Sequence, residues 1–363
     1  METHRLIYIR ADANSQIASG HLMRCLSVAW ACKSIGLEIC FLVSAGESAA
    51  LLKSFLPSQD SFPIRPLQNA AYDNLEQELG EVAEILGSRK EKPVYLLDSY
   101  YVTKEYLAAV SALARVAYLD DLKLFDYPVD LLINYDVISE KALPAYQAAY
   151  QNCARRLLGA AYAPLRPQFQ NKPVPVNKNA QNLLITTGGS DPCHFCVRFL
   201  HLVMEEPSAW PFSEESLRIH MVIGKLNTDR EPLFRLAGEL PFLKLYENVS
   251  DMASLMQTCD LAVSAAGTTL YELCALGIPS VSFALADNQI DAAKAFDEAG
   301  AIPWAGDIRT APEKVMDAIR TFVTSMSLPE TYLARLSAHK AMRGLVDGNG
   351  ALRIAEALRE MQR

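Results

Sequence analysis

One histidine near the start of the chain has the sequence surroundings of a general base. Gly20 and His21 lie between an apolar run, Leu6–Ile9, that is typical of a strand and a pattern, Leu26–Ile35, that predicts an amphipathic helix. Free N–H groups and the positive end of the helix dipole favour an anion at such a helix start, and they disfavour a protonated imidazole. His21 can therefore accept a proton beside a phosphate, or it can merely cap the helix and fill space.

Two turns in the second half of the chain have features of phosphate-binding loops. Gly188–Gly189 follows a strand pattern, and glycines there let a ligand approach the backbone. Gly267–Thr269 opens a predicted helix with two hydroxyls and free N–H groups for a diphosphate, and Glu272 lies within reach of a ribose. An ordinary threonine cap with an acidic first turn is an equal alternative. Neither Gly-x-Gly-x-x-Gly nor a Walker A motif is present, which argues against a nicotinamide dehydrogenase or a P-loop ATPase.

Strand and helix patterns alternate along both halves of the chain, which predicts an α/β protein with parallel sheets. In such sheets ligands bind at the carboxyl ends of the strands. Each of the polar residues that follow the predicted strands of the first half is by itself typical of a turn, but their shared edge makes them candidates for a site: His21, Asp98, Tyr100, Asp120, Asp121, Asn134 and Tyr135.

Length and composition limit the possible functions. A chain of 363 residues, half of them hydrophobic, is long enough for two packed domains. The net charge of −8 argues against nucleic-acid binding, and the absence of a long apolar run argues against a membrane span. Eight scattered cysteines and no secretory signal pattern indicate a cytoplasmic protein. Cys193 and Cys196 have the spacing of a metal or redox pair, but no second pair accompanies them, so we predict no metal site.

A polar, proline-containing stretch, 168–181, reads as the link between the two halves. We therefore expect a first Rossmann-like domain over residues 1–170, which carries the histidine, and a second over 171–345, which binds the nucleotide. The last segment, 346–363, predicts a helix, with Asn349 as a possible N-cap.

Several motifs agree in order and spacing with a known family. They are Gly20-His-Leu-Met-Arg-Cys25, Asp98-Ser-Tyr100, Asp120-Asp121, Leu158–Arg166, Thr187–Pro192, Ala265–Pro279 and Leu285–Gln289. In this combination the chain resembles the UDP-sugar hydrolases of pseudaminic acid biosynthesis, which act on UDP-2,4-diacetamido-2,4,6-trideoxy-β-L-altropyranose, and related proteins of spore coat polysaccharide biosynthesis. The second half also resembles the nucleotide-binding half of the UDP-GlcNAc transferase of peptidoglycan synthesis.

The resemblance implies a GT-B fold, in which two Rossmann-like domains with parallel sheets face a central cleft and a C-terminal helix often returns to the first domain. It implies that His21 is the base that activates water. It also implies a set of substrate-binding residues, in which the helix start holds the diphosphate, Glu272 the ribose and Asn288 and Gln289 the sugar. That set is Gly20, Arg24, Tyr100, Gly188, Gly189, Gly267, Thr268, Thr269, Glu272, Asn288 and Gln289.

The chain departs from the family pattern in places that bear on the sugar. Ala18 stands where the family usually has glycine, and Ser264–Gly267 is less glycine-rich than usual. Extra segments lie near 56–90 and 200–217. These departures leave a nucleotide site in place but leave the identity of the sugar open.

We expect an enzyme that hydrolyses the anomeric C–O bond of a UDP-sugar with inversion, without a metal or other cofactor. A glycosyltransferase of the same architecture, which would pass the sugar to an acceptor, is the nearest alternative. A non-catalytic subunit that only binds nucleotide sugars is a third possibility.

Overall fold

A computed structural model describes residues 6–14, 19–56, 62–88 and 91–362. The chain divides into two compact units, the first comprising Met1–Pro167 with Asn349–Arg363 and the second Gln168–Gly348. Each unit holds one wholly parallel sheet flanked by helices, as expected for an α/β protein. Among the described residues no helix has both the length and the apolar character needed to cross a bilayer.

The strands are short, and they end where polar residues or glycines follow. In the first unit they are β1 (Leu6–Ala11), β2 (Glu38–Ser44), β3 (Ile64–Leu67), β4 (Val94–Asp98), β5 (Arg115–Leu119), β6 (Leu131–Asn134) and β7 (Arg155–Leu158). In the second unit they are β8 (Asn182–Thr186), β9 (Arg218–Ile223), β10 (Leu243–Glu247), β11 (Leu261–Ala265), β12 (Ser280–Ala284) and β13 (Trp304–Asp307).

Within each sheet, helices connect all successive strands except β5 and β6, which a loop over residues 120–130 joins. They are α1 (Gly20–Ser34), α2 (Glu47–Phe55), α3 (Leu79–Gly87), α4 (Lys104–Leu113), α5 (Leu143–Ala149), α6 (Phe195–Glu205), α7 (Arg230–Ala237), α8 (Met252–Met256), α9 (Thr269–Leu276), α10 (Ile290–Glu298), α11 (Pro312–Met326), α12 (Tyr332–Leu345) and α13 (Gly350–Glu360).

The two sheets have the same strand order apart from one additional edge strand, β7, in the first, and this order decides where ligands can bind. The first runs β3-β2-β1-β4-β5-β6-β7 and the second β10-β9-β8-β11-β12-β13. In both, the chain starts in the middle, builds outward to one edge, and then returns to the middle to build toward the other. The point of reversal, between β1 and β4 or between β8 and β11, leaves a crevice at the carboxyl ends of the strands, which is the usual ligand site of this topology.

The core of the first unit lies on both faces of its sheet because successive residues of β1 alternate in direction. Ile7 and Ile9 are fully buried on the face covered by α1, and Tyr8 packs on the opposite face with α3 and α4. Both faces are apolar, so the strands read as continuous hydrophobic runs rather than as alternating patterns.

The last helix, α13, belongs to the first unit and packs against α1. Its residues Ile354 and Leu358 are fully buried in the same cluster as Leu22 of α1. The start of this helix is tightly packed, since a Cβ atom at Gly350 would lie 2.2 Å from the carbonyl oxygen of Ala163. The helix α1, which carries His21, is therefore held from one side by β1 and from another by the end of the chain.

Some elements differ from what the sequence predicts. β7 is an edge strand whose first two residues are exposed arginines, and β13 contains Gly306 with a φ of +124°, so neither has a strand pattern. The sequence pattern likewise does not predict the helices α5, α7 and α12; α5 buries none of its residues, and α12 buries only Arg335 and Met342. Asn349 precedes α13 but makes no side-chain cap hydrogen bond. Ala18 lies outside the described residues.

Candidate active site

The helix start that the sequence predicts around His21 is present. α1 begins at Gly20, after Ser19, which makes no side-chain cap hydrogen bond. His21 is only 5% exposed, so its ring is almost fully desolvated. A buried imidazole needs hydrogen-bond partners, and the strand next to β1 supplies one.

Asp98 is that partner. It is the last residue of β4, and the parallel register of β1 and β4 pairs it with Ala11, the last residue of β1. The Nδ1–H of His21 donates a hydrogen bond of 2.5 Å to Oδ1 of Asp98. A carboxylate can only accept, so the proton is on Nδ1, and Nε2 is left as the basic nitrogen. Among the residues that the structure describes, no group hydrogen-bonds to Nε2.

Arg24, one turn further along α1, fixes the carboxylate of Asp98. Its Nε and Nη2 groups donate to Oδ2 and Oδ1 of Asp98, each at 2.6 Å. Burial alone would raise the pKa of Asp98, but the charge of Arg24 and the contact with His21 outweigh it and hold that pKa well below its usual range. Asp98 is therefore an anion at all pH values near neutrality.

The remaining donor of Arg24 also has protein partners. Its Nη1 donates to Oδ2 of Asp121 at 2.6 Å and to the hydroxyl of Tyr135 at 2.7 Å. The family resemblance implies that Arg24 binds substrate, and this stays a prediction; the structure shows that its guanidinium contacts Asp98, Asp121 and Tyr135. In this arrangement Arg24 positions carboxylates.

Tyr100 covers the ring of His21. The two ring centroids lie 4.3 Å apart in an edge-to-face arrangement, and the Tyr100 hydroxyl donates to Oδ2 of Asp121 at 3.4 Å. Tyr100 is 42% exposed. A ring so placed shields one side of the imidazole from water while presenting its other face to a ligand.

In the second unit, α9 begins directly after the turn at the end of β11. Gly267 and Thr268 are exposed, and Thr268 makes no side-chain cap hydrogen bond. Within the described part of the chain the backbone N–H groups of Thr268 and Thr269 have no protein acceptor. They are therefore available to an anion at the positive end of the helix, with Glu272 in the first turn.

The other glycine turn follows β8, the strand next to β11. Gly188 has a φ of +79°, a left-handed conformation that favours glycine. The turn is held by a neighbouring loop, where the N–H of Leu226 donates to the Gly189 carbonyl at 2.9 Å. A Cβ at Gly224 would lie 2.2 Å from the Gly188 carbonyl oxygen, so only glycine fits this contact. Both turns of the second unit thus lie at its point of strand reversal.

Asn288 and Gln289 form a short 3-10 turn, Asp287–Gln289, after β12, one strand further along the sheet. The Oε1 atom of Gln289 accepts a hydrogen bond of 2.8 Å from the N–H of Leu285, which fixes that side chain against its own loop. Arg309 holds the same loop through Oδ1 of Asp287 at 2.6 Å. The Asn288 side chain is exposed.

Cys193 and Cys196 are free thiols at the start of α6. Burial raises the pKa of both thiols, most strongly for Cys196, so neither is an activated thiolate. In the described ranges no cluster of three or more histidines, cysteines and carboxylates is placed to hold a metal ion.

Three site residues carry roles that their sequence positions do not disclose. The common edge of the sheet already makes Asp98, Asp121 and Tyr135 site candidates in the sequence, but it does not say which of them contacts which. The pairing of Asp98 with His21 could have been found by adding the rule that β1 and β4 are neighbours at the reversal of a doubly wound sheet.

The solved structure of MurG from Acinetobacter baumannii matches this chain with a TM-score of 0.68, covering 98% of this chain and 99% of that one at 16% identity. The fold is that of the GT-B glycosyltransferases, with two parallel-sheet α/β domains. In addition, residues 183–343 match the model of the Glycosyltransferase family 28 C-terminal domain.

Two curated relatives match over part of their length. The spore coat polysaccharide biosynthesis protein SpsG of Bacillus subtilis is 30% identical over 206 residues, which is 56% of this chain and 58% of that protein. The pseudaminic acid cytidylyltransferase and UDP-2,4-diacetamido-2,4,6-trideoxy-beta-L-altropyranose hydrolase of Helicobacter pylori is 26% identical over 213 residues, 57% of this chain and 35% of that protein. The matched regions thus span little more than half of the one relative and about a third of the other.

Proposed function

We propose that this protein hydrolyses a UDP-sugar at its anomeric C–O bond, releasing free sugar and UDP, and that the sugar is a diacetamido-trideoxy hexose. One observation carries the proposal: the Nδ1–H of His21 is bound to an ionised Asp98, and Nε2 remains as a buried base without a protein partner among the described residues. A base held in one tautomer by a carboxylate is what activation of a water molecule requires.

In the proposed step, a water oxygen attacks the anomeric carbon from the side opposite the diphosphate. The C–O bond to the diphosphate breaks with its electron pair, and Nε2 of His21 takes the proton that the water loses. Asp98 stabilises the positive charge that the imidazole acquires. Direct displacement of this kind inverts the anomeric centre.

The departing UDP is held, in this proposal, by the second unit. The free N–H groups at the start of α9 donate hydrogen bonds to the diphosphate oxygens, and the Gly188–Gly189 turn lets the diphosphate approach the backbone. Glu272 accepts hydrogen bonds from the ribose hydroxyls. Helix N–H groups stabilise the charge that develops on the leaving oxygen. Asn288 is the proposed sugar contact of this unit, and the proposed reaction uses no cofactor.

The H. pylori relative supports this choice, because its name includes hydrolysis of a UDP-linked diacetamido-trideoxy sugar. The match to a glycosyltransferase domain favours a second candidate, transfer of the sugar to an acceptor. In that reaction His21 would take the proton of an acceptor hydroxyl instead of that of water.

One experiment separates these reactions. The full chain is incubated with UDP-2,4-diacetamido-2,4,6-trideoxy-β-L-altropyranose and no acceptor, and the products are followed by NMR. Hydrolysis predicts free sugar and UDP in equal amounts, with the first-formed anomer inverted. Turnover that begins only when an acceptor is added would establish transfer instead, and UDP-dependent thermal stabilisation without turnover on any UDP-sugar would leave only a binding protein.

A further inference from the structure

Asp121 contacts Arg24 and Tyr100, the latter of which packs on His21, yet the proposed mechanism does not use Asp121. It is the second residue after β5. The residue before it, Asp120, is buried and is held by several hydrogen bonds. Asp120 is 1% exposed and accepts hydrogen bonds from the backbone N–H groups of Leu122 and Lys123, each at 3.0 Å. The hydroxyls of two buried tyrosines donate to the same carboxylate. The backbone that carries Asp121 is therefore held on both sides.

The carboxylate of Asp121 is only half used by the protein. Its hydrogen bonds, from Arg24 Nη1 at 2.6 Å and the Tyr100 hydroxyl at 3.4 Å, both fall on Oδ2. Within the described part of the chain nothing donates to Oδ1. The Asp121 side chain is 24% exposed, so a ligand can reach it.

Asp98 shows what a carboxylate with a purely internal role looks like in this site. Its side chain is 0% exposed, and both of its oxygens accept hydrogen bonds, from His21 and from two nitrogens of Arg24. The charge of Arg24 is thereby already balanced. A second carboxylate is not needed to balance it.

Keeping Asp121 ionised has a cost. Burial, together with the negative charges of Asp98 and Asp136, raises the pKa of Asp121 despite the opposing charge of Arg24. A neutral asparagine would accept the hydrogen bond from Arg24 without this repulsion. A hydrogen bond from a further donor would stabilise the ionised carboxylate of Asp121 and offset this cost.

Tyr100 shows where that donor would lie. Its ring packs on His21 and its hydroxyl reaches Asp121, so the imidazole and the carboxylate border the same exposed tyrosine. A group bound to Oδ1 is therefore close to the proposed base.

We propose that Asp121 binds the sugar of the substrate, with Oδ1 accepting a hydrogen bond from a sugar hydroxyl or from the N–H of an acetamido group. This rests on the proposed function for the nature of the ligand, a nucleotide sugar, but not for whether that sugar is hydrolysed or transferred. Asp121 would then select sugars that carry a donor at the contacted position.

The substitution Asp121→Asn tests this with little change in shape. Because Arg24 binds the atom in the Oδ2 position, the amide oxygen of the asparagine will occupy that position and the NH₂ group will replace Oδ1. The acceptor at Oδ1 thereby becomes a donor, while the contact with Arg24 is kept. Tyr135→Phe is the matched control, since it removes the other partner of Arg24 Nη1 and leaves Asp121 unchanged.

Both substitutions are made in a His21→Ala background so that the ligand is not consumed, and titration calorimetry measures the binding of UDP and of UDP-2,4-diacetamido-2,4,6-trideoxy-β-L-altropyranose. We expect Asp121→Asn to weaken binding of the UDP-sugar about tenfold or more, the range for a hydrogen bond to a charged group, and to leave UDP binding unchanged. Tyr135→Phe should weaken binding of the UDP-sugar by less than about threefold.

Unchanged binding of the UDP-sugar by Asp121→Asn would overturn the inference, as would an equal loss in Tyr135→Phe, which would assign the effect to the Arg24 network. If Asp121→Asn weakens binding of this UDP-sugar but the protein with His21 intact releases no free sugar from it, only the proposed hydrolysis is overturned. A chain that binds UDP but not this UDP-sugar overturns the inference and the proposed substrate together.

Discussion

In both units the candidate site lies at the point where the strand order reverses, but the chemical groups that form the site differ. In the first unit the site consists of side chains. The guanidinium of Arg24 contacts three of them, Asp98, Asp121 and Tyr135. In the second unit the site consists mainly of backbone N–H groups at the start of α9 and of a glycine turn. Side-chain networks give precise placement of a proton, whereas backbone donors give a fixed, uncharged surface for an anion.

This difference leads to different expectations for mutations. Substitutions in the first unit should change turnover and leave nucleotide affinity intact. Substitutions in the second unit should weaken nucleotide binding and leave turnover at saturating substrate intact. The loss of affinity should be smaller where the backbone, and not the side chain, is the proposed contact.

The largest effect is expected for His21→Ala. Without the proposed base, the turnover number should fall about 10³-fold, within the range for general base catalysis, while the affinity for UDP stays within twofold of the wild type. Steady-state assays of UDP release and calorimetric titration with UDP measure the two quantities. Turnover at the wild-type rate would remove His21 from the mechanism.

Asp98→Asn should rank second, with a loss of about 10²-fold in turnover, because an amide no longer fixes the proton on Nδ1 of His21. ¹⁵N NMR of the histidine side chains should show that His21 no longer holds a single tautomer, which a purely structural change would not produce. Cys25→Ser is the control, since its Sγ lies 3.5 Å from Oδ2 of Asp98 but does not touch the imidazole. If both variants lose turnover equally, the effect lies in packing and not in the tautomer.

Glu272→Gln probes the side chain that binds the ribose in this proposal. Loss of a charged acceptor for the ribose should weaken UDP binding about tenfold with little change in turnover at saturating substrate. The loss should shrink for 2′-deoxy-UDP, which lacks one of the two hydroxyls. An undiminished loss with the deoxynucleotide would place Glu272 away from that hydroxyl.

The smallest effect is expected for Thr268→Ala, because the proposed ligand of the diphosphate is the backbone N–H, and the Thr268 side chain makes no cap hydrogen bond. UDP affinity should fall no more than about threefold in the same titration. A loss of a hundredfold would show that the hydroxyl itself binds the diphosphate, and the contrast between the two sites would narrow.

The same contrast explains which parts of the structure could be predicted from the sequence. The fold class follows from alternating strand and helix patterns, and the start of α9 follows from the short segment Gly267–Thr269, so both are local properties. The pairing of His21 with Asp98 joins residues 77 positions apart and depends on the order of strands in the sheet. The contact of Arg24 with Tyr135 spans 111 positions, and no local pattern distinguishes an arginine bound to protein from one that binds a ligand.

The weakest sequence signals came from elements at the edges. β7 and β13 are edge strands with few buried residues. Many of their side chains face solvent, so their sequences lack the apolar pattern of a buried strand. Hydrophobic periodicity identifies elements by what they bury, so elements that bury little are missed.

The position of α13 has a consequence for the order of folding. The helix that covers α1 is synthesised only after the whole of the second unit, since Gln168–Gly348 separates it from the rest of the first unit. Until then the apolar side chains of α1 that meet Ile354 and Leu358 have no cover. The core of the first unit can therefore be completed around α1, the helix that bears the proposed base, only after α13 has been synthesised.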